Sequence, residues 1–210
     1  MASAAFSAMK IRSVDYAIGS SLECAACLDL ARIKQLLDTG IVYVEKEELS
    51  QILRMLVGLR KTWMRTTGFI REDRMEYKMD SLSDKVCDKA EEEKVLFHHE
   101  KLDVYWLAIA VAETFYSSES VSCLSNSVFR RLDELLTSMV LNIAEGNGRF
   151  SNADQTRFWG TSHESAVKLA ARLDLCVIQG FLSQIEVEDW KVLLERVSFM
   201  TLSMIRNEQT

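Results

Sequence analysis

The sequence predicts an all-α protein: an antiparallel four-helix bundle preceded by an additional helical hairpin that partly duplicates it. Three observations carry this. Nearly all the apolar periodicity has the three-and-four spacing of helices. The 210-residue chain contains no proline, so nothing forces a helix to kink. A stretch also occurs twice: Ile18-Gly19-Ser20-Ser21-Leu22-Glu23 opens a run that reaches Gly40, and Trp159-Gly160-Thr161-Ser162-His163-Glu164 opens one that reaches Gly180. The offset is 141 at the first glycine and 140 at the second. Duplicating a packing unit builds a scaffold of stacked helices.

Residues 1–66 form the hairpin. Ile18, Leu22, Ala25, Ala26, Ile33 and Leu37 lie mostly on one side of its first helix, and Gly40 is placed as a left-handed stop. Leu49, Ile52, Leu53, Leu56, Leu59 and Trp63 make the stripe of the second. Residues 67–96 are a charged connector, read as helical from Met75, Met79, Leu82 and Val86; a flexible linker is the alternative. Residues 97–210 hold four helical segments. The first, from Leu102 to about Tyr116, is apolar on two sides, which predicts deep burial. The second spans about Ser127 to Glu145. The third starts at Ser151, spaced from Asp154 as a capping box, and stops at Gly180; the fourth is capped by Ser183 and Glu186. Four antiparallel helices with short turns make a bundle.

Composition narrows the function classes. Apolar residues make up 48% and charged residues 27%, which suits a folded globular chain. No apolar run reaches the roughly 18–20 residues of a membrane span, and Met1 to Met9 make a poor signal peptide. Five cysteines scattered among apolar positions suit buried thiols in a reducing cytoplasm. A net charge of −6 argues against nonspecific nucleic-acid binding by the whole surface.

The most specific string is Leu141-Asn142-Ile143-Ala144-Glu145-Gly146-Asn147-Gly148-Arg149. With Glu100-Lys101-Leu102-Asp103-Val104 before it and Gly160-Thr161-Ser162-His163-Glu164 after it, the chain resembles the four-helix-bundle family of 23S rRNA intervening-sequence proteins. That family includes the accessory variability determinant of diversity-generating retroelements. The resemblance covers about residues 97–206, and residues 5–63 look like the last two helices of a second copy. It implies an oligomerising bundle, commonly a ring of five, without known catalytic activity. The retroelement members bind a reverse transcriptase and nucleic acid. This chain departs from the pattern at Val140, where the family usually has proline. Asp133 and Glu134 stand where it often has an arginine pair, while Arg130 and Arg131 sit one turn earlier. The acidic balance is the third departure. The last two weaken any carry-over of nucleic-acid binding.

Gly146 and Gly148 can adopt positive φ at a helix end, and Asn142 and Glu145 can bond the turn's free amides; Arg149 can contact a partner or a phosphate. The capping reading is favoured. Glu23 and Glu164, one turn inside their helices after Gly19 and Gly160, are read as ion-paired or hydrogen-bonded to the next helix. Cys24-Ala25-Ala26-Cys27 has metal-motif spacing but lacks a second pair, so small residues on a packed face explain it better. Adjacent His98 and His99 point about 100° apart on a helix and are read as solvated. No metal, cofactor or catalytic residue is expected. One basic strip stands out: Arg54, Arg60, Lys61, Arg65, Arg71, Arg74 and Lys78 against Glu72, Asp73 and Glu76, a local +4 with Trp63 and Phe69 interleaved. The expected function is a non-enzymatic, homo-oligomeric adaptor that binds a protein partner, such as a reverse transcriptase, with RNA on that strip. The alternative is a purely structural assembly module without nucleic acid.

Overall fold

A computed structural model describes residues 2–66 and 96–207, with side chains over 9–64 and 96–207. Residues 67–95 of the connector, with Arg71, Arg74 and Lys78, lie outside the described residues, as does the Arg65 side chain. Every regular element among the described residues is helical. In order they are α1 (Ala2–Ile33), α2 (Thr39–Thr66), a 3-10 turn (His98–Lys101), α3 (Asp103–Ser117), α4 (Glu119–Ser122), α5 (Asn126–Asn147), α6 (Asn152–Ile178) and α7 (Gln184–Asn207). None is long and apolar enough to cross a membrane.

Helices α3, α5, α6 and α7 surround one core. Val104, Ala108 and Phe115 meet Leu136, Met139, Ile143, Leu169, Leu173, Trp190, Leu194 and Val197 there. As its two stripes predict, α3 buries seven of its residues. Helix α1 adds Ala26 and Leu30 to this core. A second cluster joins Val14, Ile18, Leu22 and Ala25 of α1 to Leu53 and Val57 of α2, and is closed by Phe97. Phe97 is 1% exposed, and burying such a side chain stabilises by about 1.5–3 kcal/mol. It is one of the contacts that hold the hairpin to the rest, beside Ala26 and Leu30 in the main core.

Helix α1 begins sixteen residues before Ile18 and ends before Gly40. Its turn closes at Gln35, whose φ is 56°, while Gly40 lies in the first turn of α2 with its amide on the Asp38 carboxylate at 2.8 Å. Asp38 caps α2, so Gly40 is not a stop. The Gln35 turn and the Gly180 turn (φ 73°) are the same structure. Leu36 N–H reaches Ala31 O at 2.9 Å and Gln35 N–H reaches Arg32 O at 2.9 Å; Phe181 to Cys176 and Gly180 to Val177 repeat this at 2.8 and 2.9 Å. Both are Schellman turns. Helix starts follow suit, Thr39 against Gln184. So do the ion pairs that tie each hairpin together, Asp29–Lys46 and Asp174–Lys191. Each matched pair of residues is 145 apart, a spacing different from the 141 and 140 that separate the motif glycines.

A left-handed L-residue costs about 1–2 kcal/mol relative to glycine. Gln35→Gly is therefore expected to raise the unfolding free energy by about 1 kcal/mol, less the extra chain entropy of glycine. A urea midpoint that falls instead would contradict this account of the turn.

Capping is realised in part. Glu186 N–H reaches Ser183 Oγ at 3.3 Å, and the Ser183 hydroxyl donates to the Glu186 carboxylate at 2.7 Å. Ser151 occupies the position before α6 but makes no side-chain cap bond. Gln155 fills the space instead, donating to Arg149 O at 2.8 Å.

Candidate functional sites

Helix α1 crosses the end of α5 backbone to backbone. A Cβ on Gly148 would stand 3.1 Å from Gly19 Cα and 2.7 Å from Leu22 Cδ1; one on Gly19 would stand 2.9 Å from Arg149 Cζ. Neither glycine serves a positive φ, since Gly148 has φ −85° and Gly180 is the only glycine with positive φ among the described residues. Gly146 likewise makes room, because a Cβ there would meet the Trp159 ring at 2.6 Å. These glycines permit close approach rather than a positive φ, which corrects that part of the reading of Gly146 and Gly148; Gly148 does stand at the C-cap of α5, its N–H on Glu145 O at 3.0 Å. Asn142 donates one turn back, to Ser138 O at 2.7 Å, and not to the turn.

Arg149 is buried and committed. It pairs with Glu145 one turn back, and its guanidinium lies 4.9 Å from the Tyr16 ring and 4.6 Å from the Phe158 ring. It is not a surface phosphate contact. Glu23 faces this group from α1; burial and then the Glu145 charge raise its pKa, against the lowering effect of Arg149. The matching motif on α6 has no such partners. Gly160 is in open space, and the exposed Glu164 pairs with Lys168 at 2.9 Å on its own helix rather than across to the next. The sequence likeness of the two motifs thus spans two different environments.

A second cluster lies where hairpin and core helices meet. Asp29 comes from α1, Lys46 from α2, His99 and Glu100 from the 3-10 turn, and Tyr105 from α3; all five are buried. Lys46 Nζ sits 2.8 and 2.9 Å from the two Asp29 oxygens and 2.5 Å from Glu100 Oε1. The Tyr105 hydroxyl donates to Asp29 Oδ2 at 2.7 Å. Glu100 also accepts the backbone N–H groups of Leu96 and Phe97 at 2.7 and 2.9 Å. Two carboxylates therefore face one ammonium, and three neutral donors share the remaining negative charge. Tyr105 has its pKa raised by burial first and by Asp29 beside it.

The sequence predicts a solvated His99. It is instead fully buried, 5.8 Å from the Phe97 ring and edge-on to Tyr105 at 4.6 Å. Both ring nitrogens lack hydrogen-bond partners. Burial, then the Lys46 charge, pushes its pKa down to about 3, so it is neutral. His98 is the exposed one of the pair and lies 3.0 Å from the Asn147 amide. The ligand atoms of Asp29, His99 and Glu100 fall within 4.8 Å of one another, close enough to surround an ion. The Lys46 ammonium already fills the seat between the two carboxylates. The sequence did carry a signal: Asp29 and Lys46 interrupt apolar stripes, three residues after Ala26 and four after Val42.

The basic strip is split. Arg54 and Lys61 are exposed. Arg60 is buried, 2.6 Å from Asp15 and with its guanidinium 3.6 Å from the centre of the Phe150 ring. It ties α2 to α1, so the strip loses its central charge to packing. Trp63 is half-buried against the apolar cluster of Val14, Ile18, Leu53 and Val57, with Lys10 5.5 Å from its ring; Phe69 lies outside the described residues. Cys24 and Cys27 are exposed, contrary to the packed face expected for them.

Residues 100–203 match the 23S rRNA-intervening sequence protein family. This half of the chain belongs to that family. The intervening-sequence region starts at Glu100 and takes in α3 to α7 as far as Ser203, whereas α1 and α2 precede it. The buried cluster is therefore a joint: Glu100 and Tyr105 come from the family region, Asp29 and Lys46 from the hairpin. Neither the curated proteins nor the solved structures contain a match.

Proposed function

We propose that this chain is a non-enzymatic adaptor that self-associates and binds a protein partner, of the kind a reverse transcriptase represents. In this reading α3, α5, α6 and α7 are the family's antiparallel four-helix bundle, and α1–α2 is a partial second copy of its last two helices. The shared spacing of 145 at turns, helix starts and ion pairs supports the duplication. The adaptor reading rests on the outer side of α7. Ile185, Val192 and Phe199 stand seven residues apart on one stripe and are 76%, 58% and 63% exposed. Exposed Glu188 and Glu195 alternate with these three side chains, so the face offers separate apolar knobs ringed by charge, and the reading takes them as the points of contact.

Light scattering at micromolar concentration is expected to give a mass of several chains. Val192→Glu with Phe199→Glu is expected to reduce it to that of one chain, and a monomeric parent protein would sink the self-association. A protein-only surface is favoured over an RNA-binding one by the internal pairing of Arg60 and Arg149. A gel-retardation assay with structured RNA at low salt is accordingly expected to show no shift. A salt-sensitive shift lost on Arg54→Glu and Lys61→Glu would reinstate RNA.

A further inference from the structure

The two hairpins dock by opposite faces. In α6–α7 the side chains turned into the core are Leu169, Leu173, Cys176, Trp190, Leu194 and Val197, all buried. At the spacing of 145 their counterparts are Cys24, Leu28, Ala31, Glu45, Leu49 and Ile52. All six of these line an open groove of about 460 Å³ on the outer side of α1 and α2, with Cys27 and Glu48 completing it. The converse also holds. The groove on the outer side of α6–α7 includes Ala166, Ala170, Lys191, Glu195 and Ser198. Their counterparts Ser21, Ala25, Lys46, Ser50 and Leu53 are buried. Among the described residues, what the second hairpin covers with α3 and α5, the first leaves uncovered.

Charge says what fits there. Where α7 carries Trp190 and Leu193, α2 carries Glu45 and Glu48, and none of the eight groove residues is basic. An occupant must bring apolar side chains for Leu28, Ala31, Leu49 and Ile52, and cations for the two glutamates. A second copy meets this poorly: its own open α6–α7 groove presents Glu188 and Glu195, and its Lys191 is already paired with Asp174 at 2.8 Å. Like charges facing each other across an interface suppress that pairing. We infer that the outer groove of α1–α2 is the docking seat for an amphipathic helix of a partner protein, apolar along one stripe and flanked by lysine or arginine. This rests on the adaptor reading and names the surface the partner uses.

Cys24 and Cys27 lie in the groove and are exposed, while the exposed Cys123 lies outside it and serves as an internal reference. The probe is a synthetic helical peptide of about 18 residues, leucine on one stripe and lysine on both flanks, compared with the same peptide carrying glutamate flanks. On the full-length protein, the lysine peptide is expected to slow iodoacetamide alkylation of Cys24 and Cys27 roughly tenfold and to leave Cys123 unchanged. Ile52→Glu should abolish that protection, and Glu45→Lys with Glu48→Lys should transfer it to the glutamate peptide. All three substitutions replace exposed side chains. Equal protection by both peptides, or none by either, overturns the inference. So does protection without peptide that grows with protein concentration, since a second copy would then fill the groove. The mass measurement proposed above reads the α7 stripe, so the adaptor reading and this docking seat fail separately.

Discussion

Lys46→Met is expected to lower the unfolding free energy by about 3–5 kcal/mol, the cost of stranding buried charge without its partner. The ammonium contacts both Asp29 and Glu100, at 2.8 and 2.5 Å, and neither carboxylate can turn to solvent. A methionine of similar length keeps the packing and removes only the charge. The equivalent substitution in the other hairpin provides the control. Lys191 pairs with Asp174 in the same way, but the two side chains are 41% and 47% exposed, so Lys191→Met should cost about 0–1 kcal/mol. Asp29→Asn added to Lys46→Met should recover part of the loss, because only Glu100 is then left uncompensated. Urea titrations at neutral pH measure all three. If Lys46→Met and Lys191→Met cost the same, the buried cluster does not hold the hairpin in place.

The all-helical fold was legible because its causes are local. The two stripes of α3, the Gly180 stop and the Ser183–Glu186 cap all act within a turn or two of chain. The register of the two hairpins was not, because a glutamine closes the first turn and a nearby glycine drew attention to itself. Gln35 has no local signal for a left-handed conformation, whereas Gly40 has one and does not use it. Gly146 and Gly148 stand out in the sequence as residues for a positive φ, which neither adopts, and Gly19 stands out only as part of the repeat. Their role is steric and depends on α1, α5 and α6 meeting, which no single segment encodes. The buried cluster draws on two stretches before the connector and one after it, so its geometry belongs to tertiary packing. Arg60 and Arg149 make the same point from the other direction. Charge counted along the chain predicted a surface role, and packing assigns both guanidiniums to half-buried aromatic rings and to carboxylates.

The region that belongs to the intervening-sequence family and the hairpin before it are therefore joined by polar chemistry as well as by Phe97. That chemistry should make the joint sensitive to acid. His99 stays neutral in the folded chain, with a pKa of about 3 set by burial and by Lys46, against an ordinary value of 6.5. Above pH 6.5 both folded and unfolded chains carry it uncharged, and it adds no pH dependence. As the pH falls from 6.5 toward 3, the unfolded chain binds a proton that the folded chain refuses. Stability then drops by about 1.4 kcal/mol per pH unit, or about 2–3 kcal/mol by pH 4.5. His99→Phe keeps a ring between Phe97 and Tyr105 and removes the proton-binding site. The difference in unfolding free energy between His99→Phe and the parent should therefore grow in the variant's favour on acidification. Other titrating carboxylates are common to both proteins and cancel in that difference. Parallel stability curves from pH 7 to about 4.5 would show that His99 is open to protons in the folded state, and that the joint admits water.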